Sequence, residues 1–154
     1  MKKIPLLPSY FRWVGAALVL VAIVLYGYDA LYRNIDFHMR TFVFVNDAPF
    51  ANRGFLQMME VDIFLTFLLL SLLLGLAFIA FSRIRKEDEM INSLRLYSWS
   101  WAVITTLAMG ILATAFIYGV SFIAFTFHLG PLLLLVYIII FNYNLFQLNR
   151  THEE

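Results

Sequence analysis

Between Leu96 and Asn149 the chain contains no Lys, Arg, Asp or Glu. The hydrocarbon core of a bilayer is about 30 Å thick, and a helix crosses it in about 20 residues. The uncharged stretch is too long for one crossing and suits two crossings joined by a tight turn. The rest of the chain is in keeping. Its 154 residues are 62% hydrophobic and 14% charged, with a mean hydropathy of +0.82. A soluble domain of this size could not cover that much apolar surface, whereas lipid can.

Two more apolar runs lie upstream. Arg12 and Asp29 bracket Trp13 to Tyr28, and Asp62 and Arg83 bracket Ile63 to Ser82. The first run is slightly short, so Arg12 should snorkel and Tyr26, Tyr28 and Tyr32 should sit at the far interface. The third crossing is expected over Trp99 to Phe122 and the fourth over Leu132 to Phe146. Pro131 then falls in a first turn, where a missing N–H costs nothing. Phe127, His128 and Gly130 would form the hairpin, leaving no histidine within a crossing. The sequence thus predicts an all-α polytopic membrane protein, a bundle of four transmembrane helices forming one domain over 1–154. The helices are expected at about 12–31, 60–82, 86–122 and 130–148, with an extracytoplasmic loop over 32–59. The MKKIPLLPSYFRW start resembles a signal peptide in its two lysines. However, Arg12 interrupts the approach, and the passable cleavage site after Ala30 has bulky Tyr28 at −3, so the first helix should be retained.

Orientation follows from Lys and Arg. Lys2, Lys3, Arg12, Arg83, Arg85, Lys86, Arg95 and Arg150 fall on one side, and Arg33, Arg40 and Arg53 on the other. Both termini are therefore expected in the cytoplasm of a cell with this protein in its inner membrane.

Three regions could carry function. Over Arg85 to Trp101, Met90, Ile91, Leu94, Tyr97 and Trp101 recur at helical spacing, with Asp88, Asn92 and Arg95 on another face. This reads as a cytoplasmic extension of the third helix. Glu87, Asp88, Glu89, Asn92 and Arg95 form either a docking surface for a cytosolic protein or a solvated charged face that only fixes topology. The second region is the row Ser98, Ala102, Thr106, Gly110 and Thr114, all small and four apart, with Ser71 and Gly75 as a counterpart in the second helix. Such residues let helices approach closely, within one chain or across a dimer seam. Each four-residue step turns by about 40°, so the row spirals and about three members can face one neighbour. The third region is the outer loop. Thr41 to Asn46 reads as a short strand and NDAPFANRG as turn chemistry. Asp36, His38, Glu60 and Asp62 could hold a cation or form an acid–base pair, or could instead pair with Arg33, Arg40 and Arg53.

Several function classes are disfavoured. With a formal charge of +1 there is no electrostatic footprint for nucleic acid. There is no Cys for disulfides, thiolate metal sites or nucleophiles. A haem-binding bundle needs facing imidazoles, and a proton-coupled antiporter keeps a carboxylate within a crossing. No cofactor, metal ligand or catalytic residue is assigned.

At RKEDEMINSLRLYSWSWAV, then FIYGVSF and FNYNLFQL, with LPSYFRWVG near the N-terminus, the chain resembles the small uncharacterised four-helix membrane proteins of Bacteroidota. The matching residues ahead of the third helix are Glu87, Asp88, Glu89, Ile91, Leu94 and Arg95. The resemblance covers most of the chain and least the segment from Asn34 to Asn52. Such proteins are often encoded beside a small helix-turn-helix regulator. The resemblance therefore implies a regulatory, protein-binding role and carries over no catalytic residue. The expected partners are membrane lipid, a cytosolic regulator and a second copy of the chain. The rival expectation is an oligomeric subunit of a small transporter or channel.

Overall fold

The computed structural model describes residues 6–32, 38–46, 54–84 and 89–151. Among these it has four helices and one strand pair: α1 (Phe11–Tyr32), β1 (His38–Asn46), β2 (Gly54–Asp62), α2 (Phe64–Ala80), α3 (Glu89–Phe116) and α4 (Val120–Thr151). The protein is mostly helical, and α1, α3 and α4 are long and apolar enough to cross a membrane. Most of the surface of those three spans faces outward, with exposed side chains such as Leu20, Ile23, Leu107, Ile111 and Ile139. An apolar exterior suits lipid, where a helix satisfies its own backbone hydrogen bonds. α2 is also apolar, but its 17 residues rise only about 25 Å. It falls short of the full Ile63–Ser82 span because β2 runs to Asp62 and a turn begins at Phe81.

The chain falls into two compact units, Met1–Val19 with Leu72–Glu154, and Leu20–Ser71. In the second unit, β1 and β2 pair antiparallel, with His38 opposite Asp62 and Arg40 opposite Glu60. The strand expected at Thr41 to Asn46 is part of the longer β1. β2 was not expected, because Leu56, Gln57, Met58 and Glu60 favour helix. Cross-strand pairing outweighs that preference. The turn residues 47–53 lie outside the described residues.

The first unit draws its core from all four helices. Leu76 and Ala80 of α2, Ile91 and Ala102 of α3, and Leu134, Tyr137 and Phe141 of α4 are buried together, with Val19 of α1 against them. α1 and α2 run antiparallel and meet at glycines. A Cβ placed on Gly15 would stand 2.6 Å from the Gly75 carbonyl oxygen and 3.0 Å from the Ile79 nitrogen. A Cβ on Gly75 would stand 2.9 Å from the Gly15 carbonyl oxygen. Only hydrogen fits at either position.

The α3–α4 hairpin lies earlier than expected. It turns at Ile117 to Gly119, where Gly119 has φ +75°, a left-handed conformation that costs glycine little. α4 then continues through Phe127, His128, Gly130 and Pro131 without a break. Pro131 is inside the helix rather than in its first turn. Its ring nitrogen donates nothing to the Phe127 carbonyl, an omission that neighbouring helices make tolerable in membrane helices. The same shift puts His128 inside an apolar span, correcting the expectation that no histidine lies within a crossing. His128 Nδ1 is 2.7 Å from the Ala124 carbonyl oxygen, so its own helix supplies a partner.

Candidate functional site

The densest set of polar contacts lies where α2 ends. The last carbonyls of a helix have no partner within it and need one from elsewhere. Here almost every one is accounted for. The Ala77 carbonyl accepts from the Phe81 N–H, and the Ile79 carbonyl accepts from the Ser82 hydroxyl at 3.0 Å. The Phe81 carbonyl accepts from the Leu7 N–H at 3.0 Å, and the Arg83 N–H donates to the Leu7 carbonyl at 2.9 Å. The segment before α1 is thereby bridged to Ser82. The Ala80 and Ser82 carbonyls accept from Arg95 Nη1 and Nη2, at 3.4 and 3.0 Å.

Arg95 is thus not a surface residue. It is 4% exposed, and its guanidinium lies 4.9 Å from the centre of the Phe141 ring. Trp99 meets Tyr137 edge-on, and Tyr137 stacks on Phe141, so aromatic rings wall the cation in. A buried charge must be matched, and here the negative ends of peptide dipoles at a helix C-terminus do it in place of a carboxylate. Arginine suits the task because its planar fork reaches two carbonyls at once and is weakly hydrated. Its Nε alone has no hydrogen-bond partner.

This placement corrects one member of the expected docking surface. Arg95 points inward because it continues the buried stripe Ile91, Ser98, Ala102 and Thr106 at helical spacing. Glu87 and Asp88 lie outside the described residues. Glu89 is exposed, has no hydrogen-bond or ion-pair partner among the described residues, and sits beside exposed Met90 and Ser93. Asn92 is half-buried. Of the small-residue row, Ser98, Ala102 and Thr106 are buried within the chain, Gly110 is half-buried and Thr114 is exposed. Ser98 Oγ accepts from Asn144 Nδ2 at 3.5 Å. The Gly110–Thr114 end of the row opens into an apolar groove of about 740 Å³ between α3 and α4. Gly110, Thr114, Phe122, Thr126 and Gly130 are among its walls. The Thr114 and Thr126 hydroxyls there donate to their own helices.

In the strand pair Arg40 Nε donates to Glu60 at 3.1 Å, with both side chains largely exposed. His38 is exposed on β1, opposite Asp62 in the register, and Asp36 lies outside the described residues. No cluster of three metal-ligating side chains occurs among the described residues.

Sequence reasoning missed Gly15 and misplaced Arg95. The signal for Arg95 was present, since Ile91, Arg95, Ser98 and Ala102 share one helical stripe. No family model, curated protein or solved structure matches the chain.

Proposed function

We propose that the chain is a non-enzymatic inner-membrane protein that binds a soluble regulatory protein at the charged start of α3. In this reading it crosses the bilayer four times, α2 included, with both termini in the cytoplasm. The observation that carries the docking reading is exposed Glu89, which has no partner among the described residues, next to exposed Met90 and directly after Glu87 and Asp88 in the sequence. An exposed carboxylate with no partner among the described residues and a flanking apolar side chain suit a cationic, partly apolar partner. The orientation is supported by the Lys and Arg bias. It is also supported by contacts that gather three segments at one end of the first unit: Leu7 with Ser82, Arg12 with Asn142, and Arg95 with Ser82.

Reversal of Asp88 and Glu89 to Lys, leaving Arg95 intact, tests the reading. The wild-type protein, extracted from native membranes in mild detergent, is expected to carry a stoichiometric soluble protein. The reversed variant is expected to lose it about tenfold or more while staying membrane-inserted, as loss of two charge contacts implies. Undiminished capture by the variant would overturn the reading.

The groove between α3 and α4 favours a second reading, an oligomeric transporter or channel subunit in which a neighbouring copy fills it. Gly110→Ile would then reduce the particle mass in native lipid from several copies to one, since a branched side chain holds helices apart. A wild-type protein that is monomeric in native-lipid particles would sink this alternative.

A further inference from the structure

The segment ahead of α1 pairs with the end of α2 through one residue. The Leu7 N–H donates to the Phe81 carbonyl at 3.0 Å, and the Leu7 carbonyl accepts from the Arg83 N–H at 2.9 Å, a parallel bridge to Ser82. Beside it, Leu6 lines a cavity of about 250 Å³ together with Phe81, Arg95, Leu96, Trp99 and Tyr137. We propose that Leu6 and Leu7 are an autoinhibitory strap. An extended segment of the docking partner, with an aromatic side chain at the Leu6 position, displaces the strap and takes its place.

The sequence shapes the strap and also keeps it short. Leu7 precedes Pro8, and the residue before a proline is pushed towards extended backbone. The bridge has no room to lengthen. The Phe81 N–H is still bonded to the Ala77 carbonyl, and the Ser9 carbonyl accepts from the Arg12 N–H. Two backbone hydrogen bonds that water or another chain can replace hold a segment weakly, and such segments open locally. The slot itself is better fixed. Ser82 donates its N–H to the Ile79 carbonyl, and its carbonyl accepts from Arg95 Nη2 at 3.0 Å. The slot therefore keeps its shape when the strap leaves.

The strap shows what the slot accepts, an extended backbone with an apolar side chain. In strand addition of this kind, main-chain hydrogen bonds give affinity and the pocket beside them gives specificity. Leu6 lines the cavity without filling it. The other walls are aromatic, with the Phe81 and Trp99 rings 6.0 Å apart and Trp99 edge-on to Tyr137 at 5.2 Å. A ring in place of Leu6 buries more apolar surface and adds aromatic contacts. The cavity also continues the docking surface. Leu96 at its edge is exposed, seven residues after exposed Glu89. Seven residues are two turns, so the two share one face of α3 about 10 Å apart.

The inference rests on the docking reading for its partner. Its test uses peptides alone, so the slot and the charged surface fail separately: capture by the Asp88 and Glu89 reversal bears on the surface, and peptide binding bears on the slot. The probes are fluorescent IPLLPSY, the sequence of residues 4–10, and IPFLPSY, titrated onto the full-length protein in detergent. The wild-type protein should bind both weakly, because its own strap competes at an effective concentration of about millimolar. Leu6→Ser, which weakens the strap's anchor, should bind IPFLPSY about tenfold more tightly than the wild type does. It should prefer IPFLPSY to IPLLPSY by at least about threefold. The chain has no Cys, so Leu7→Cys/Ser82→Cys can form one disulfide across the bridge, where neighbouring strands lie about 4.8 Å apart. Oxidised, it should bind neither peptide, and reductant should restore binding. In the unaltered chain, millimolar IPFLPSY should speed hydrogen exchange across residues 6–9 by at least about fivefold. Equal binding by Leu6→Ser and the wild type, binding by the oxidised double variant, or unchanged exchange in the unaltered chain would each overturn the proposal.

Discussion

Arg95→Met is expected to destabilise the protein by about 3 kcal/mol. The Ala80 and Ser82 carbonyls would lose their donors in a place with little water, at about 1–3 kcal/mol for each buried group left unsatisfied. The contact with Phe141 adds about 0.5–2 kcal/mol. Against this, removing the cation relieves its desolvation, which keeps the net below the sum. For a chain of this length the loss lowers Tm by about 6–12 °C. Thermal unfolding in detergent, followed by circular dichroism, is the measurement. Arg95→Lys should fall between, because an ammonium is a point donor that cannot span two carbonyls in a plane. A Met variant with wild-type Tm would show that other groups complete α2.

Gly75→Val is expected to do more damage than its size suggests. A Cβ on Gly75 already meets Val19 Cγ2 at 2.8 Å and the Gly15 carbonyl oxygen at 2.9 Å. The side chain of Val19 could yield, but a helix backbone cannot turn aside as a rotamer does, so α1 and α2 must separate along their length. Overpacking costs about 1–3 kcal/mol even where side chains can adjust. Gly75→Val is therefore expected to cost at least about 3 kcal/mol and to yield little monodisperse protein. The milder G15A and G75A allow a cycle. Each should destabilise, and the double variant should cost clearly less than their sum, because the first methyl has already parted the helices. Additive effects in size-exclusion and thermal assays would mean that the two glycines do not share a crossing.

How far these features can be read from the sequence depends on what kind of information each requires. The charge gap from Leu96 to Asn149 announces α3 and α4, since the bilayer solvent sets both length and composition. It does not place the turn between them. Gly130–Pro131 is a turn signal in water, but within an apolar span it can be carried inside a helix, and the solitary Gly119 makes the reversal. β2 was hidden because its preference is helical and its partner is eight or more residues away across a turn. Gly75 was recognised as a small residue, yet its partner Gly15 was not, since the periodicity of one helix does not say which other helix crosses it. Arg95 was grouped with Asp88 and Asn92 on a polar helical face, although its position in the stripe with Ser98 and Ala102 pointed inward.

The closure of α2 also imposes an order on biogenesis. The donors for its Ala80 and Ser82 carbonyls come from a residue 13 positions later than Ser82. At ribosomal speeds of about 5–20 residues per second, α2 waits on the order of a second after its own synthesis for that residue to be made. A nascent chain that has completed α1 and α2 therefore holds an unfinished helix end until α3 is made.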